Sequence, residues 1–270
     1  MQGRLSPLID GKIQCFPWPY WQQEFSIAQE IGFSLMEWTL DQERWEENPL
    51  LTVSGQAEIK ALSVSHNVQV GSLTGDCFMQ VPFYKTQGIQ QQALLDQIHT
   101  ILDACAQLSI NFIVLPLVDN GSLTSAKEQE TLIEHLLPFS SRLVDANQKI
   151  IFESDFSPER LLQLIQEFPP ESFGINYDVG NSAALGFNAN HEISSYGHRI
   201  DNVHIKDRVK GGGTVPLGQG DADFLLVFDT LKTVGYQGHY ILQTARASEG
   251  EHESVLCQYR DFVKHYCATT

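Results

Sequence analysis

From end to end, the chain alternates between short apolar runs of strand length and longer stretches with helical spacing. About eight such alternations fit in 270 residues, roughly 34 residues per unit. A strand, a helix and their loops occupy about 30 residues or more, so this period suits parallel strands closed into a barrel. No Gly/Ser/Pro-rich linker divides the sequence and no short repeat runs through it. The expected fold is therefore α/β, a (β/α)8 TIM barrel, as a single domain over residues 1–270. A doubly wound open sheet is the alternative, but no G-x-G-x-x-G follows an early strand.

The units can be placed in order. Met1 to Leu5 is short for a first strand: either that strand is stunted or residues precede it. Pro7, Pro17 and Pro19 mark 6–20 as loop. Trp21, Phe25, Ala28 and Gly32 follow helical spacing and predict a helix near 20–31. Strands are expected at 34–38, 68–73, 111–116, 149–153, 173–178, 202–208 and 239–244. Between them lie helices near 54–66, around Leu94 to Leu108, at 126–146 with Pro138 kinking or splitting it, from Ser157-Pro158 onward, and near 189–198. A helix begins near Asp223, and the last carries Val255, Tyr259, Phe262, Val263 and Tyr266. A glycine-rich loop, Gly211 to Gly220, follows the His204 strand.

Several of these strands end in a polar side chain able to bind metal. Glu153 ends Lys-Ile-Ile-Phe-Glu, Asp178 ends Phe-Gly-Ile-Asn-Tyr-Asp, His204 lies in Asn-Val-His-Ile-Lys-Asp-Arg, and Gln243 follows His-Tyr-Ile-Leu. Helices cover the outside of a barrel's strands, so a charged strand residue must point inward or lie at the rim. Active sites of this fold lie at the C-terminal rim. Two carboxylates and an imidazole suit Mn, Mg, Co or Zn. Taken singly, a strand-end acid is more often a rim ion pair, and Asp178-Val-Gly reads equally as a turn. Four at successive strand ends favour one metal site. His204 and Lys206, two apart, share a face.

Composition removes other classes. The net charge of −16, with 17 Lys and Arg against 33 Asp and Glu, repels a phosphate backbone, and no basic run offsets it. No nucleic-acid partner is expected. No apolar run approaches a membrane span and no basic-then-apolar leader opens the chain, so no membrane partner is expected. Five scattered cysteines without a C-x-x-C pair fit a reducing cytoplasm.

Glu153 in Ile-Phe-Glu-Ser-Asp, Asp178 in Tyr-Asp-Val-Gly-Asn, His204 in Val-His-Ile-Lys-Asp and the Gly218-Gln-Gly-Asp221 run together resemble the xylose isomerase-like TIM barrel superfamily. The opening Gln2-Gly-Arg-Leu-Ser and Gly32 to Trp38 look like its sugar-phosphate isomerase/epimerase branch. That resemblance implies a divalent-metal-dependent isomerase or epimerase of a small sugar or sugar phosphate. The reaction is proton abstraction alpha to a carbonyl through a metal-stabilised enediolate, and a homo-oligomer is possible. It implies Glu153, Asp178, His204 and Gln243 as metal ligands, with Glu153 as base.

The family pattern has a glutamate where this chain has Gln243. An amide oxygen still coordinates, but it accepts no proton, so two-base epimerisation loses one base and a single-base isomerisation gains weight. Lys206 is either a replacement base or a cation holding a substrate oxygen or Asp207. Glu37, Arg208, Arg246, Arg4 and, in reserve, His66 are candidate substrate contacts. For anion recognition Lys210 joins Arg4, Arg208 and Arg246, with the glycine-rich loop as a phosphate cradle or a plain surface loop. The alternatives are an apurinic-endonuclease-like nuclease and a non-catalytic sugar-binding barrel.

Overall fold

A computed structural model describes residues 1–9 and 11–269. Its elements run α1 (Trp21–Glu30), β1 (Leu35–Thr39), α2 (Val53–His66), β2 (Gln69–Thr74), α3 (Asp76–Gln80), α4 (Gly88–Gln107), β3 (Phe112–Leu117), α5 (Ala126–Leu136), α6 (Ser140–Asp145) and β4 (Lys149–Ser154). They continue α7 (Pro158–Gln166), β5 (Phe173–Asp178), α8 (Val179–Leu185), α9 (Ala189–Tyr196), β6 (Ile200–Ile205), β7 (Asp207–Arg208), β8 (Thr214–Val215), α10 (Phe224–Thr233), β9 (His239–Leu242) and α11 (His252–Thr269).

Seven strands form one parallel sheet in the order β1-β2-β3-β4-β5-β6-β9. The first residues close it. The Gln2 N–H donates to Leu242 O (3.1 Å), and the Glu37 N–H donates to Met1 O (2.9 Å). Gln2 thus bridges to β1 on one side and bonds to β9 on the other, in the eighth strand position. The expected TIM barrel is the observed one, with its first strand stunted to a single bridge.

The two faces of β1, β5 and β6 differ sharply. Met36 and Trp38, Ile175 and Tyr177, Val203 and Ile205 face outward and are buried under helices. The alternate residues Glu37 and Thr39, Asn176 and Asp178, Asn202 and His204 fill the interior. Asn202 Nδ2 donates to Asn176 Oδ1 (2.8 Å) and reaches Glu37 Oε2 (3.4 Å) across the barrel. The main apolar core therefore lies between sheet and helices; the barrel interior is polar at β1, β5 and β6 and apolar at Val114, Ile151 and Ile241.

Local sequence explains the helix bounds. Pro138 splits the predicted 126–146 helix into α5, a short 3₁₀ turn and α6, because it supplies no N–H and crowds the preceding turn. The Ser157 hydroxyl accepts from Arg160 N ahead of Pro158, and the Asp223 carboxylate accepts from Leu226 N. The 202–208 run differs from expectation. Its strand stops at Ile205, and Asp207-Arg208 turns away into the β7–β8 hairpin.

Phe152 on β4 is fully buried against Phe168 and Phe173, on the outer face of the strand that carries Glu153. Phe152→Ala should lower unfolding free energy by about 3–5 kcal/mol in urea titration, with little change in the denaturant slope. A loss under about 1 kcal/mol would contradict this account of the outer core.

Candidate metal centre

Three strand ends meet at the C-terminal rim. Glu153 on β4, Asp178 ending β5 and His204 on β6 each offer one ligand atom, and these atoms all lie within 4.8 Å of one another. His204 Nδ1 is 3.2 Å from Glu153 Oε2 and 3.9 Å from Asp178 Oδ2. Two donors each about 2.1 Å from one ion are separated by roughly 3–4 Å, so the spacing fits a shared divalent cation. The donor set is oxygen, oxygen and imidazole nitrogen, as expected of a hard or borderline metal.

Each ligand candidate is held from behind. Glu153 Oε1 accepts from Asn181 Nδ2 (2.7 Å) and Oε2 from Asn176 Nδ2 (2.9 Å). Asp178 Oδ1 caps α8 by accepting the Asn181 N–H at 2.8 Å, and Oδ2 receives Lys206 Nζ at 2.8 Å. The Asp178-Val-Gly segment is therefore a helix start. Gly180 suits it, since a Cβ there would press on the Lys206 side-chain stem.

His204 has no exposed side-chain surface. Its Nε2 faces Glu37 Oε1 at 2.8 Å, while Glu37 also accepts from Ser72 Oγ (2.7 Å) and Thr74 Oγ1 (2.6 Å). Neither ring nitrogen lies on a well-aligned hydrogen-bond line. Charge attraction at short range therefore dominates over a directed bond. Burial opposes the charge on the imidazole, yet Glu37 and Glu153 outweigh it and push the group up to about 10. Burial likewise opposes the Glu37 charge; His204 and the two hydroxyls outweigh it and hold the carboxyl below its ordinary value.

The remaining candidates divide. Gln243 follows β9, its N–H donating to Ile205 O (3.0 Å), and its buried Oε1 has no hydrogen-bond partner among the described residues. Glu37 lies behind His204, so it grips the imidazole from below the rim; expected as a substrate contact, it faces a protein group instead. Lys206 pairs with Asp178 and leaves Asp207 to other partners. His66 falls outside the site: it ends α2, at the far end of β2, with Nδ1 2.9 Å from Gln29 Oε1.

Arg208 donates to Asn181 Oδ1 (2.8 Å) and, twice, to Gly212 O. It edges a rim cavity of about 260 Å³ shared with Asn181, Asp155 and Asp119. Arg4 and Arg246 lie together on the opposite side, beside β9.

Three residues escaped the sequence reading. Asn176 and Asn181 hold the Glu153 carboxylate. Asp76, just past β2, is buried and receives Gln14 Nε2 at 3.0 and 2.8 Å. Burial, with the charges of Asp41 and Glu153 added, pushes it up to about 7 against the Gln14 bond and Arg4. Period-two spacing pointed to Asn176, two residues before Asp178; nothing comparable marked Asp76.

The glycine-rich loop is no open phosphate cradle. Gly218 N, Gly220 N and Ala222 N donate to the Asp207 carboxylate, and Lys210 N to Asp221 Oδ2. Gly211 N and Gly212 N donate to Ala184 O and Val209 O. The loop's own acids occupy the place an anion would take. A Cβ at Gly220 would collide with Asp207, which is why a glycine stands there.

Comparison with known proteins agrees with the geometry. The model of the xylose isomerase-like TIM barrel family matches residues 25–259. An L-ribulose-5-phosphate 3-epimerase, UlaE, of Salmonella heidelberg is 24% identical over 259 residues, spanning 90% of this chain and 89% of that protein. A D-allulose 3-epimerase from Methylomonas sp., solved in complex with D-allulose, superposes with a TM-score of 0.74 at 14% identity, over 91% of this chain and 90% of that one. The IOLI protein, solved with a bound zinc atom, does so at 0.74 and 14%, over 92% and 93%. Among the described residues no helix is long and apolar enough to cross a membrane.

In metal-free protein the Glu37–His204 pair ties stability to pH. A raised imidazole stabilises fully below its unfolded value of 6.5 and ceases to as pH climbs through about 10. The depressed Glu37 stabilises above its unfolded value of 4.5 and ceases to as pH falls below it. Thermal unfolding of chelated protein should therefore show Tm declining between pH 7 and 10, and Glu37→Gln should flatten that decline. An equal slope in both proteins would contradict the pairing.

Proposed function

We propose, from the premise that this chain belongs to the xylose isomerase-like TIM barrel family, that it is a divalent-metal-dependent isomerase or epimerase of a sugar or sugar phosphate. The observation that carries this reading is the Glu153–Asp178–His204 cluster at the C-terminal rim. The epimerase relatives, the sugar-bound neighbour and the zinc-bound neighbour support it. It treats residues 1–270 as one functional domain.

Glu153, Asp178 and His204 would hold the ion, with the Gln243 amide oxygen as fourth donor. That oxygen is buried without a partner among the described residues, a costly state that a cation relieves. Mn, Mg, Co and Zn all suit such donors. A bound ion would polarise the substrate carbonyl and stabilise negative charge on its oxygen.

The chain's own groups do the rest. Glu153 takes the proton from the carbon next to the carbonyl, and the Asn176 and Asn181 amides fix the direction of its carboxylate. Lys206, engaged by Asp178, serves as a balancing cation. Arg208 lies within reach of substrate through the cavity it shares with Asn181.

Gln243 cannot accept a proton. Glu153 acting alone moves a proton between neighbouring carbons on one face, which is aldose–ketose isomerisation. Epimerisation needs a second group on the other face. Asp76 is the candidate for that group: it is buried just past β2, held by Gln14 Nε2 at 2.8 Å, and burial pushes its carboxyl up to about 7.

L-ribulose 5-phosphate and D-allulose, incubated with enzyme and divalent metal in D₂O, should take up deuterium next to the carbonyl. Glu153→Gln should slow uptake by ~10²–10⁴. Inversion at carbon 3 that disappears in Asp76→Asn while deuterium uptake persists would establish the two-base reading, and inversion that survives in Asp76→Asn would remove Asp76 as the second base. Full exchange by Glu153→Gln would remove Glu153 as the base.

A further inference from the structure

Two guanidiniums lie beside the end of β9, and among the described residues neither has a carboxylate as hydrogen-bond partner. Arg4 spends Nε on Thr244 O (2.8 Å) and Nη1 on Gln2 O (3.2 Å). Arg246 spends Nε on Ile13 O (2.9 Å) and Nη1 on Ser6 O (2.8 Å). All four acceptors are backbone carbonyls, which orient the guanidiniums without neutralising them. The two are close enough to act on each other: burial first, then the Arg246 charge, lowers Arg4 to about 9. The buried Glu24 faces both Arg246 and Arg4, and Asp76 faces Arg4.

The same corner concentrates buried polar atoms with no partner among the described residues. These are Arg246 Nη2, Thr244 Oγ1, both ring nitrogens of His252 and both side-chain polar atoms of Gln2. Thr244 and Gln2 are fully buried, and His252 is 8% exposed. Buried polar atoms in folded proteins are nearly always satisfied, so a group of them around two cations marks a place for a ligand. His252 also opens the 18-residue helix α11, whose first N–H groups lack helical acceptors and favour negative charge.

We infer that this corner is an anion subsite, formed by Arg4, Arg246, Thr244 and His252, and that the substrate carries a phosphate or carboxylate group. The inference deepens the proposed function and rests on it for the word substrate. Thr244 directly follows Gln243, and Arg4 donates to the Thr244 carbonyl, so the subsite begins one residue past the proposed fourth donor. The glycine-rich loop, where the fold often binds phosphate, is filled by Asp207 and Asp221. The anion therefore goes to the β9 side.

Inorganic phosphate and acetate titrated calorimetrically into metal-free protein test this. Wild type should bind at least one of them. Stronger phosphate binding assigns a phosphate ester, and stronger acetate binding a sugar acid. Arg246→Gln should weaken binding at least tenfold, and Thr244→Val, which removes one hydroxyl and spares the fold, at least threefold. Lys210→Gln in the glycine-rich loop should leave it unchanged. No binding of either ion to wild type, or loss in Lys210→Gln with retention in Arg246→Gln, would overturn the inference. The titration needs neither metal nor turnover. A protein inert towards sugars that still bound phosphate through Arg246 would sink the proposed function alone. An active enzyme whose KM for L-ribulose 5-phosphate did not change in Arg246→Gln would sink the subsite alone.

Discussion

An imidazole with no solvent exposure, flanked by Glu37 and Glu153, is the interaction on which the rest of this barrel depends. Two acids and one base in a buried space are stable only if their charges and hydrogen bonds close on one another. The surrounding chain supplies that closure. Ser72 and Thr74 complete Glu37, Asn176 and Asn181 complete Glu153, and the start of α8 together with Lys206 completes Asp178. Every strand from β1 to β6 except β3 contributes a polar residue to this arrangement.

That network also explains the division of the barrel into layers. Apolar residues on the outer strand faces pack under the helices and carry the fold. The inner faces are then free to be polar, provided each polar group finds a partner. Among the described residues, Gln243 Oε1 and several atoms around Arg246 are among the buried polar atoms left without a partner, and the proposed cation and anion sites rest on them. Both proposed sites draw on the segment just past β9, from Gln243 to Arg246.

Much of this was legible in the sequence because the signals were periodic. The 3.6-residue stripes gave the helices, the 34-residue period gave the closed sheet, and strand-end placement brought Glu153, Asp178 and His204 together. What escaped lacked a period or a long run. The first strand was legible only as a short segment, Met1 to Leu5, because one bridge at Gln2 leaves no apolar pattern. Helix α8 was hidden because Val-Gly-Asn after Asp178 looks like a turn until the Asp178 carboxylate is seen capping it. Asn176 and Asn181 act on Glu153 of the neighbouring strand from 23 and 28 residues away, and Asp76 is bonded to Gln14, 62 residues away. The glycine-rich loop misled because composition does not reveal that Asp207 and Asp221 already take its amides. His66 misled because it precedes a strand, which places it at the end away from the site.

Metal content of the purified protein tests the central claim most directly, measured by mass spectrometry for wild type and His204→Ala after exposure to Mn, Mg, Co and Zn. The account predicts about one divalent ion per wild-type chain and a marked loss in His204→Ala, with the fold retained by circular dichroism. Wild-type protein that takes up no metal, or a His204→Ala chain that holds as much as wild type, would contradict it.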